Sequence, residues 1–224
     1  MTALKTQESF KLNRFLSRPL TEILLLTPIT PNQITVLSLL VGLLSGFLFS
    51  RGQYTSSISG ALVFQVAVIL DNCDGEIARA KNLKSVFGGW LDVIVDVIVD
   101  ITLFSGITLG LFKSGFHFWI LATGLLCVLG SITNCWIVII QKNKGFGPAV
   151  HDQPHPQGSD RNKFYYQVSN ALREGDASWF VVLFTVFNGT QYLLLCASFY
   201  MQLLWLTGLM LNLKWLFSVH NENY

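Results

Sequence analysis

Hydrophobic and polar positions divide the chain into long apolar runs separated by short polar segments. The apolar runs predict membrane spans over residues 31–50, 56–70, 87–112, 116–140, 176–187 and 191–213, and the second span continues as helix through residue 79. About 20 apolar residues are the length that crosses the roughly 30 Å hydrocarbon core of a bilayer. The pattern therefore predicts an all-α integral membrane protein with six transmembrane helices.

The residues before the first run are polar but predict an amphipathic helix. Lys11, Arg14 and Arg18 fall on one helical face, whereas the neighbouring leucine and phenylalanine side chains turn away from it. This arrangement suits a helix that lies in the interface of an anionic membrane. The expected organisation is a cytoplasmic N-terminal segment over 1–22, a six-helix membrane domain over 23–217 and a short C-terminal tail over 218–224.

Composition and charge support the membrane assignment. The chain is 51% hydrophobic and 12% charged, whereas soluble domains have about 25% charged residues. With the N-terminus inside, thirteen of the fifteen Lys and Arg residues fall on the inner side, and Arg51 and Lys113 fall on the outer side. This bias predicts that both termini are cytoplasmic. If spans five and six form one bent helix, only the C-terminus changes side. Because there is no basic stripe, we do not expect a nucleic-acid partner.

Five aspartates interrupt the second and third spans. Asp92, Asp96 and Asp100 repeat every four residues and form a stripe along the inner half of span three. Asp71 and Asp74 share a face at the end of span two, on the same membrane side. A charge at the bilayer centre costs about 2.5–3.5 kcal/mol, and like charges also repel one another.

A divalent cation would remove this penalty. All-oxygen ligation selects hard ions such as Mg²⁺, Mn²⁺ or Ca²⁺. Four carboxylates exceed what one Mg²⁺ usually takes from protein, so two ions are expected, as in many phosphoryl-transfer sites. Gly75 and Gly88 would let a ligand approach the backbone, and Arg79 is a natural phosphate partner. Together these residues indicate a diphosphate site.

Two other classes of function fit the pattern less well. A divalent-cation channel or transporter would use the carboxylates as a path, but the outer half of span three, "ITLFSGITLGLF", has no charged side chain. A catalytically silent scaffold would be expected to have lost one of the aspartates. The pattern favours an enzyme.

The stretch from Asp71 to Asp96 resembles the CDP-alcohol phosphotransferase signature, D-x2-D-G-x2-A-R-x8-G-x3-D-x3-D. All eight of its fixed positions are present, namely Asp71, Asp74, Gly75, Ala78, Arg79, Gly88, Asp92 and Asp96. The six-span layout and the amphipathic start also resemble the family, so the resemblance covers most of the chain.

This resemblance implies an activity and a set of roles. Family members displace CMP from a CDP-linked alcohol, usually CDP-diacylglycerol, with a second alcohol. The four signature aspartates would bind two divalent ions, either Mg²⁺ or Mn²⁺. Asp96 would also be the general base. The CDP group would lie against Gly75, Ala78, Arg79 and Gly88, with Asn32 and Thr35 of span one facing the cytidine. Asp100 lies outside the signature and is either a supporting group of the site or an acid of helix packing.

Within the family, "LDNCDGEIARAKNLKSVFGGWLD" looks most like the transferase domain of di-myo-inositol-phosphate phosphate synthases. In those bifunctional proteins a cytidylyltransferase domain precedes the membrane part, so we expect the donor here to come from elsewhere. A soluble CDP-polyol is the alternative donor. Arg173, in "REGDASWF", would meet an acceptor phosphate.

The acceptor stays open among inositol phosphate, glycerol phosphate, serine and an unphosphorylated polyol. Synthases that use phosphorylated acceptors commonly carry basic residues at the inner end of span four, where this chain has only Lys142 and Lys144. The resemblance further implies a homodimer. The charge bias predicts an active site on the cytoplasmic side of the membrane, which would be the plasma or inner membrane in a prokaryote. Gly42 and Gly46, like Gly106 and Gly110, are spaced for close helix contact, either within one chain or in such a dimer.

Overall fold

A computed structural model describes residues 12–143 and 177–221, and all secondary structure within these ranges is helical. Within the described ranges, seven helices follow one another: α1 Leu12–Leu25, α2 Pro31–Phe49, α3 Tyr54–Ala80, α4 Val86–Lys113, α5 Trp119–Asn143, α6 Ser178–Val186 and α7 Thr190–Asn221. The all-α prediction is confirmed.

Five of the helices, α2, α3, α4, α5 and α7, are long and apolar enough to cross a membrane. They correspond to predicted spans one to four and six. The predicted fifth span falls on α6, whose nine residues extend about 14 Å. Residues 144–176 lie outside the described ranges, so the count of six spans and the cytoplasmic location of both termini stay predictions.

The starts of α2 and α4 have local causes in the sequence. Pro31 occupies the first turn of α2 as predicted, and the Gln33 side chain accepts a 2.9 Å hydrogen bond from the Thr30 backbone N–H. Ser85 caps α4 by accepting a 2.9 Å hydrogen bond from the Gly88 N–H. Such caps satisfy amide groups that have no partner inside the helix.

The end of α3 is closed by a left-handed residue. Asn82 has a φ of 55°, and the Leu83 N–H donates to the Ala78 carbonyl at 2.9 Å. This is the six-to-one bond of a Schellman motif. The Lys81 ammonium then donates to the Thr27 carbonyl at 2.7 Å, so the end of α3 is tied to the segment between α1 and α2.

Glycines bring α2 and α4 into close contact. A Cβ at Gly106 would overlap the Gly46 carbonyl oxygen, and one at Gly110 would overlap the Phe49 carbonyl oxygen. Gly42 faces the Val99 side chain in the same way. The two predicted small-residue pairs therefore serve packing within the chain, and the homodimer stays a prediction.

Helix α1 follows the C-terminal half of α3 and presents uncharged polar side chains to it. Asn13, Ser17 and Thr21 are buried, and the two hydroxyl groups donate to the Glu76 carboxylate at 2.9 and 2.6 Å. Phe15 lies on the outer side of the helix, 65% exposed. The helix is thus attached to the protein by this polar face and by Leu20, Leu24 and Leu25, which pack against a buried apolar cluster. Its interfacial position stays a prediction.

Helix α2 packs against α3 on one side and α4 on the other, while α5 packs against both α4 and α7. Within the described ranges, α3 and α4 pack little against each other. A small apolar cluster of Ile34, Leu70, Cys73 and Ile77 joins α2 to α3 near the aspartates. The aspartates of α3 and α4 meet beside α2, next to this cluster.

Candidate metal and nucleotide site

Three of the predicted metal ligands converge. Asp71, Asp74 and Asp92 each offer a carboxylate oxygen, and these oxygens lie within 4.8 Å of one another. Asp71 and Asp74 belong to the last turns of α3, and Asp92 belongs to the second turn of α4. The predicted meeting of the two sets of aspartates is therefore present in the structure.

The chemistry of this cluster fits a hard divalent cation. One oxygen of the Asp71 carboxylate is buried and has no hydrogen-bond partner among the described residues. A buried acceptor without a partner is costly, and a cation held by carboxylate oxygens removes that cost. No nitrogen or sulfur ligand belongs to the described cluster, so its donor set suits Mg²⁺ or Mn²⁺.

Asp96 lies one helical turn beyond Asp92, and its side chain contacts that of Asp71. Asp74 is 6% exposed, whereas Asp96 is an exposed residue. Asp100 follows one turn deeper and accepts a hydrogen bond from the Ser131 hydroxyl at 3.4 Å.

The start of α2 supplies two further polar groups. The Thr35 hydroxyl donates to the Asp74 carboxylate. A Cβ added to Gly88 would lie 3.1 Å from the Asn32 side-chain oxygen, so Asn32 borders the backbone at the start of α4. Both residues thus lie at the edge of the carboxylate cluster, and their roles toward a cytidine stay predictions.

Arg79 lies one turn after Gly75 on the same face of α3. A Cβ at Gly75 would be 3.4 Å from one guanidinium nitrogen, and Arg79 is exposed. Ala78 is half-buried beside it. The guanidinium and the small residues therefore form one accessible surface next to Asp74. Arg173 lies outside the described residues.

Two polar residues at this end of the protein escaped the sequence analysis. Glu76 lies near the end of α3, where an acid is usually solvated, but its carboxylate accepts hydrogen bonds from the Ser17 and Thr21 hydroxyls of α1. The sequence does not indicate the contact of Ser131 with Asp100, because a serine in an apolar helix usually forms a hydrogen bond with its own backbone.

A cavity of about 310 Å³ lies at the opposite end of the bundle. Its lining includes Phe49, Tyr54, Ser114 and Asn188, and none of the signature aspartates. This cavity is therefore separate from the candidate site.

Comparison with known proteins identifies the class. Residues 28–151 match the family model of CDP-alcohol phosphatidyltransferases. This is more than half of the chain, and the match includes both helices that carry the aspartates. The chain belongs to the CDP-alcohol phosphatidyltransferase family, as its signature indicated.

Curated relatives cover part of the chain. A bifunctional IPC transferase and DIPP synthase of Aquifex aeolicus is 38% identical over 94 residues, which are 42% of this chain and 21% of the relative. An archaetidylinositol phosphate synthase of Pyrococcus horikoshii is 38% identical over 82 residues, which are 37% of this chain and 42% of that protein. The aligned part thus spans less than half the length of either relative.

Solved structures share the fold. Phosphatidylinositol phosphate synthase of Mycobacterium tuberculosis, in complex with manganese and citrate, aligns with a TM-score of 0.55 at 22% identity, over 86% of this chain and 88% of that one. The same synthase with CDP-DAG bound aligns with a TM-score of 0.52 at 20% identity, over 89% and 91% of the two chains. At this identity the likeness concerns the fold alone.

Proposed function

We propose that this protein transfers a substituted phosphoryl group from a CDP-linked alcohol to an acceptor alcohol and releases CMP. The observation that carries the proposal is the convergence of the Asp71, Asp74 and Asp92 carboxylates on two apolar helices, with Asp96 beside them. Membership in the CDP-alcohol phosphatidyltransferase family gives this convergence its chemical meaning.

The four signature aspartates are the residues that would hold two divalent cations, Mg²⁺ or Mn²⁺. When bound, such ions neutralise the carboxylates and the diphosphate and stabilise charge on the leaving phosphate. The buried Asp71 oxygen without a partner supports this assignment, as does the manganese complex of the structurally similar synthase. Thr35 holds the Asp74 carboxylate in place through its hydroxyl group.

Asp96 is the proposed general base, because it is exposed next to Asp71. Its carboxylate takes the proton of the acceptor hydroxyl, and the acceptor oxygen attacks the phosphorus that bears the donor alcohol. The bond from that phosphorus to the CMP oxygen breaks as the new bond forms. Positioning of the two reactants supplies much of the rate enhancement.

The CDP group is proposed to lie along the C-terminal end of α3 and the starts of α2 and α4. Arg79 is exposed there for a charge-assisted contact with a phosphate. The small side chains leave room for the nucleotide. The proposed contacts are Gly75, Ala78, Arg79, Gly88, Asn32 and Thr35.

CDP-diacylglycerol is the favoured donor. The carboxylates belong to helices that are long and apolar enough to span a membrane. The acyl chains of the donor could therefore lie against the apolar surface of these helices, next to the carboxylates. A soluble CDP-polyol is the second candidate, favoured by the resemblance to bifunctional IPC transferase and DIPP synthases. The positive charge of the segment between α3 and α4, with Lys81 and Lys84, supports a cytoplasmic location of the site.

The test is CMP release by the purified protein in detergent, with Mn²⁺ or Mg²⁺ and a panel of acceptor alcohols. CDP-diacylglycerol and a CDP-polyol are supplied in parallel. We expect release with one of these donors and a loss of about 100-fold or more in Asp96→Asn, because a positioned general base contributes about 10²–10⁴-fold.

Glu22→Gln is the matched control, since Glu22 is an exposed acid on α1. It should leave the rate unchanged. Full turnover by a folded Asp96→Asn protein would refute the role of Asp96. Absence of CMP release with either donor and every acceptor would contradict the proposed function.

A further inference from the structure

The cavity at the end of the bundle opposite the carboxylates has walls from five helices. They are the ends of α2, α4 and α6 and the starts of α3 and α7. The Tyr54 hydroxyl donates to the Val186 carbonyl at 2.7 Å, and the Ser114 hydroxyl donates to the Gly52 carbonyl at 2.8 Å. Its volume of about 310 Å³ is that of a small-ligand pocket. The cavity is therefore a candidate binding site outside the carboxylate cluster.

Helix α7 begins at the wall of this cavity. The Tyr192 N–H donates to the Gly189 carbonyl at 2.9 Å, so the N–H groups of Thr190 and Gln191 precede the hydrogen bonds of the helix. Both of these residues line the cavity. Free amides at a helix start, together with the positive end of the helix dipole, attract anions. Because α7 has 32 residues, it is long enough for this effect.

Thr190 gives independent evidence for a ligand. The residue is only 9% exposed, and its hydroxyl has no hydrogen-bond partner within the described part of the chain. A buried hydroxyl without a partner is costly, and an acceptor oxygen inside the cavity would remove that cost. Ser57, Asn188 and Gln191 also line the cavity and offer further donors.

The charges at this end of the bundle favour an anion. Arg51 and Lys113 are the two cations predicted on the outer side, and both are exposed. Each directly precedes a residue that lines the cavity, and the Lys113 ammonium donates to the Ser50 carbonyl at 2.9 Å. None of the acidic residues in the described ranges belongs to the segments that line the cavity. An anion there would meet attraction without repulsion.

Apolar surface beside the cavity indicates that the anion belongs to a lipid. The cavity lies at the ends of α2, α3, α4 and α7, which are long and apolar enough to cross a membrane. Tyr54 and Phe116 line it and are 47% and 37% exposed. Tyrosine rings at the end of a membrane helix lie at the depth of the lipid headgroups. A headgroup in the cavity would thus leave its acyl chains against the bundle.

We propose that this cavity binds the phosphate group of an anionic phospholipid. The N–H groups at the start of α7 and the Thr190 hydroxyl donate to the phosphate oxygens, while Arg51 and Lys113 balance the charge. A free phosphate ion has the same oxygens, but it makes no use of the exposed aromatic surface. The inference goes beyond the proposed transfer reaction and does not depend on it.

Native mass spectrometry of the purified protein in detergent tests this proposal by titration with phosphatidylglycerol. Phosphatidylcholine and inorganic phosphate are titrated in parallel. We expect saturable binding of phosphatidylglycerol. Phosphatidylcholine should bind about fivefold more weakly or worse, because its choline group brings a cation beside Arg51 and Lys113. Inorganic phosphate should bind more weakly still, since it buries no apolar surface.

Thr190→Val keeps the shape of the side chain and removes the hydroxyl. It should raise the Kd for phosphatidylglycerol about tenfold or more, as expected for a lost hydrogen bond to a charged group. Thr55→Val is the matched control, because Thr55 is an exposed threonine at the same end that does not line the cavity. It should bind like the wild type.

The double variant Arg51→Gln with Lys113→Gln keeps the test decisive if Thr190→Val does not fold. It should raise the Kd about threefold to tenfold. Asp96→Asn should bind phosphatidylglycerol like the wild type, which separates this site from the carboxylates. Because binding is measured without turnover, failure of the transfer reaction would leave this test intact.

Several results would overturn the proposal. They are absence of saturable phosphatidylglycerol binding by the wild type, and an unchanged Kd in Thr190→Val and in the double variant. An equal loss in Thr55→Val would show a nonspecific effect and also overturn it. Equal affinity for phosphatidylcholine would contradict the role of the two cations, and equal affinity for inorganic phosphate would contradict the assignment to a lipid.

Discussion

Thr35 connects the first membrane helix to the carboxylate cluster through one hydroxyl group. It is 3% exposed and donates to the Asp74 carboxylate. Partners of metal ligands fix the orientation of the ligand and raise its affinity for the metal. The contact therefore makes α2 part of the site as well as part of its scaffold.

Thr35→Val should weaken divalent-metal binding without unfolding the protein. The substitution removes the hydroxyl but keeps the shape of the side chain, so Asp74 loses an orienting donor. We expect the Mn²⁺ concentration for half-maximal activity to rise about tenfold or more. Thr35→Ser, which restores the hydroxyl, should return it close to the wild-type value. An unchanged Mn²⁺ dependence in Thr35→Val would show that the hydrogen bond has no role in metal binding.

At the residue scale, the sequence predicted that aspartates of the two helices would meet, but it did not predict all of their surroundings. Asp71, Asp74, Asp92 and Asp96 were found because fixed helical spacing and the cost of charge in a membrane leave few explanations for them. Glu76 was missed because its donors are 55 and 59 residues away in the chain. A contact between distant residues depends on helix packing, which no local pattern reports.

At the element scale, the glycines decide how closely α2 and α4 approach. The backbone carbonyl of Gly46 lies where a Gly106 side chain would begin. Close contact of this kind is how small residues support helix association in membranes, where lipid reduces the hydrophobic driving force. Since α4 carries Asp92 and Asp96, this contact helps to set the position of the site.

Gly106→Ala should destabilise the protein by about 1–3 kcal/mol, because the added methyl group forces α2 and α4 apart. Thermal unfolding in detergent measures the effect as a lower melting temperature. Gly189→Ala is the matched control, since an added Cβ there would meet nothing nearer than 3.4 Å. Equal melting temperatures for the two variants would contradict the close approach of the α2 and α4 backbones at Gly106.

Helix positions were predictable because apolar length and local caps set them. α2 begins at Pro31 as predicted, and α4 extends over Val86–Lys113 against a prediction of 87–112. The contact of α1 with α3 was harder to predict from the sequence. Its pattern separated basic from apolar residues, but Asn13, Ser17 and Thr21 form the face that contacts α3. Polar residues that pack against protein cannot be distinguished from solvated ones by periodicity alone.

At the scale of the whole molecule, one end of the bundle holds the carboxylates and the other holds the separate cavity. Helix α2 stands between α3 and α4 and keeps their aspartates facing one another. A bundle of apolar helices thereby carries a cluster of carboxylates. This arrangement follows if metal ions and a diphosphate neutralise the carboxylates, which is the central claim of the proposed function.

Equilibrium binding of Mn²⁺ tests that claim most directly. The free Mn²⁺ signal in electron paramagnetic resonance, measured during titration of the purified protein, gives the number of bound ions. We expect about two ions per chain, with fewer bound by Asp71→Asn and Asp92→Asn at an unchanged melting temperature, and wild-type binding by Glu22→Gln. Absence of saturable binding by the wild type, or full binding by both aspartate variants, would contradict the account.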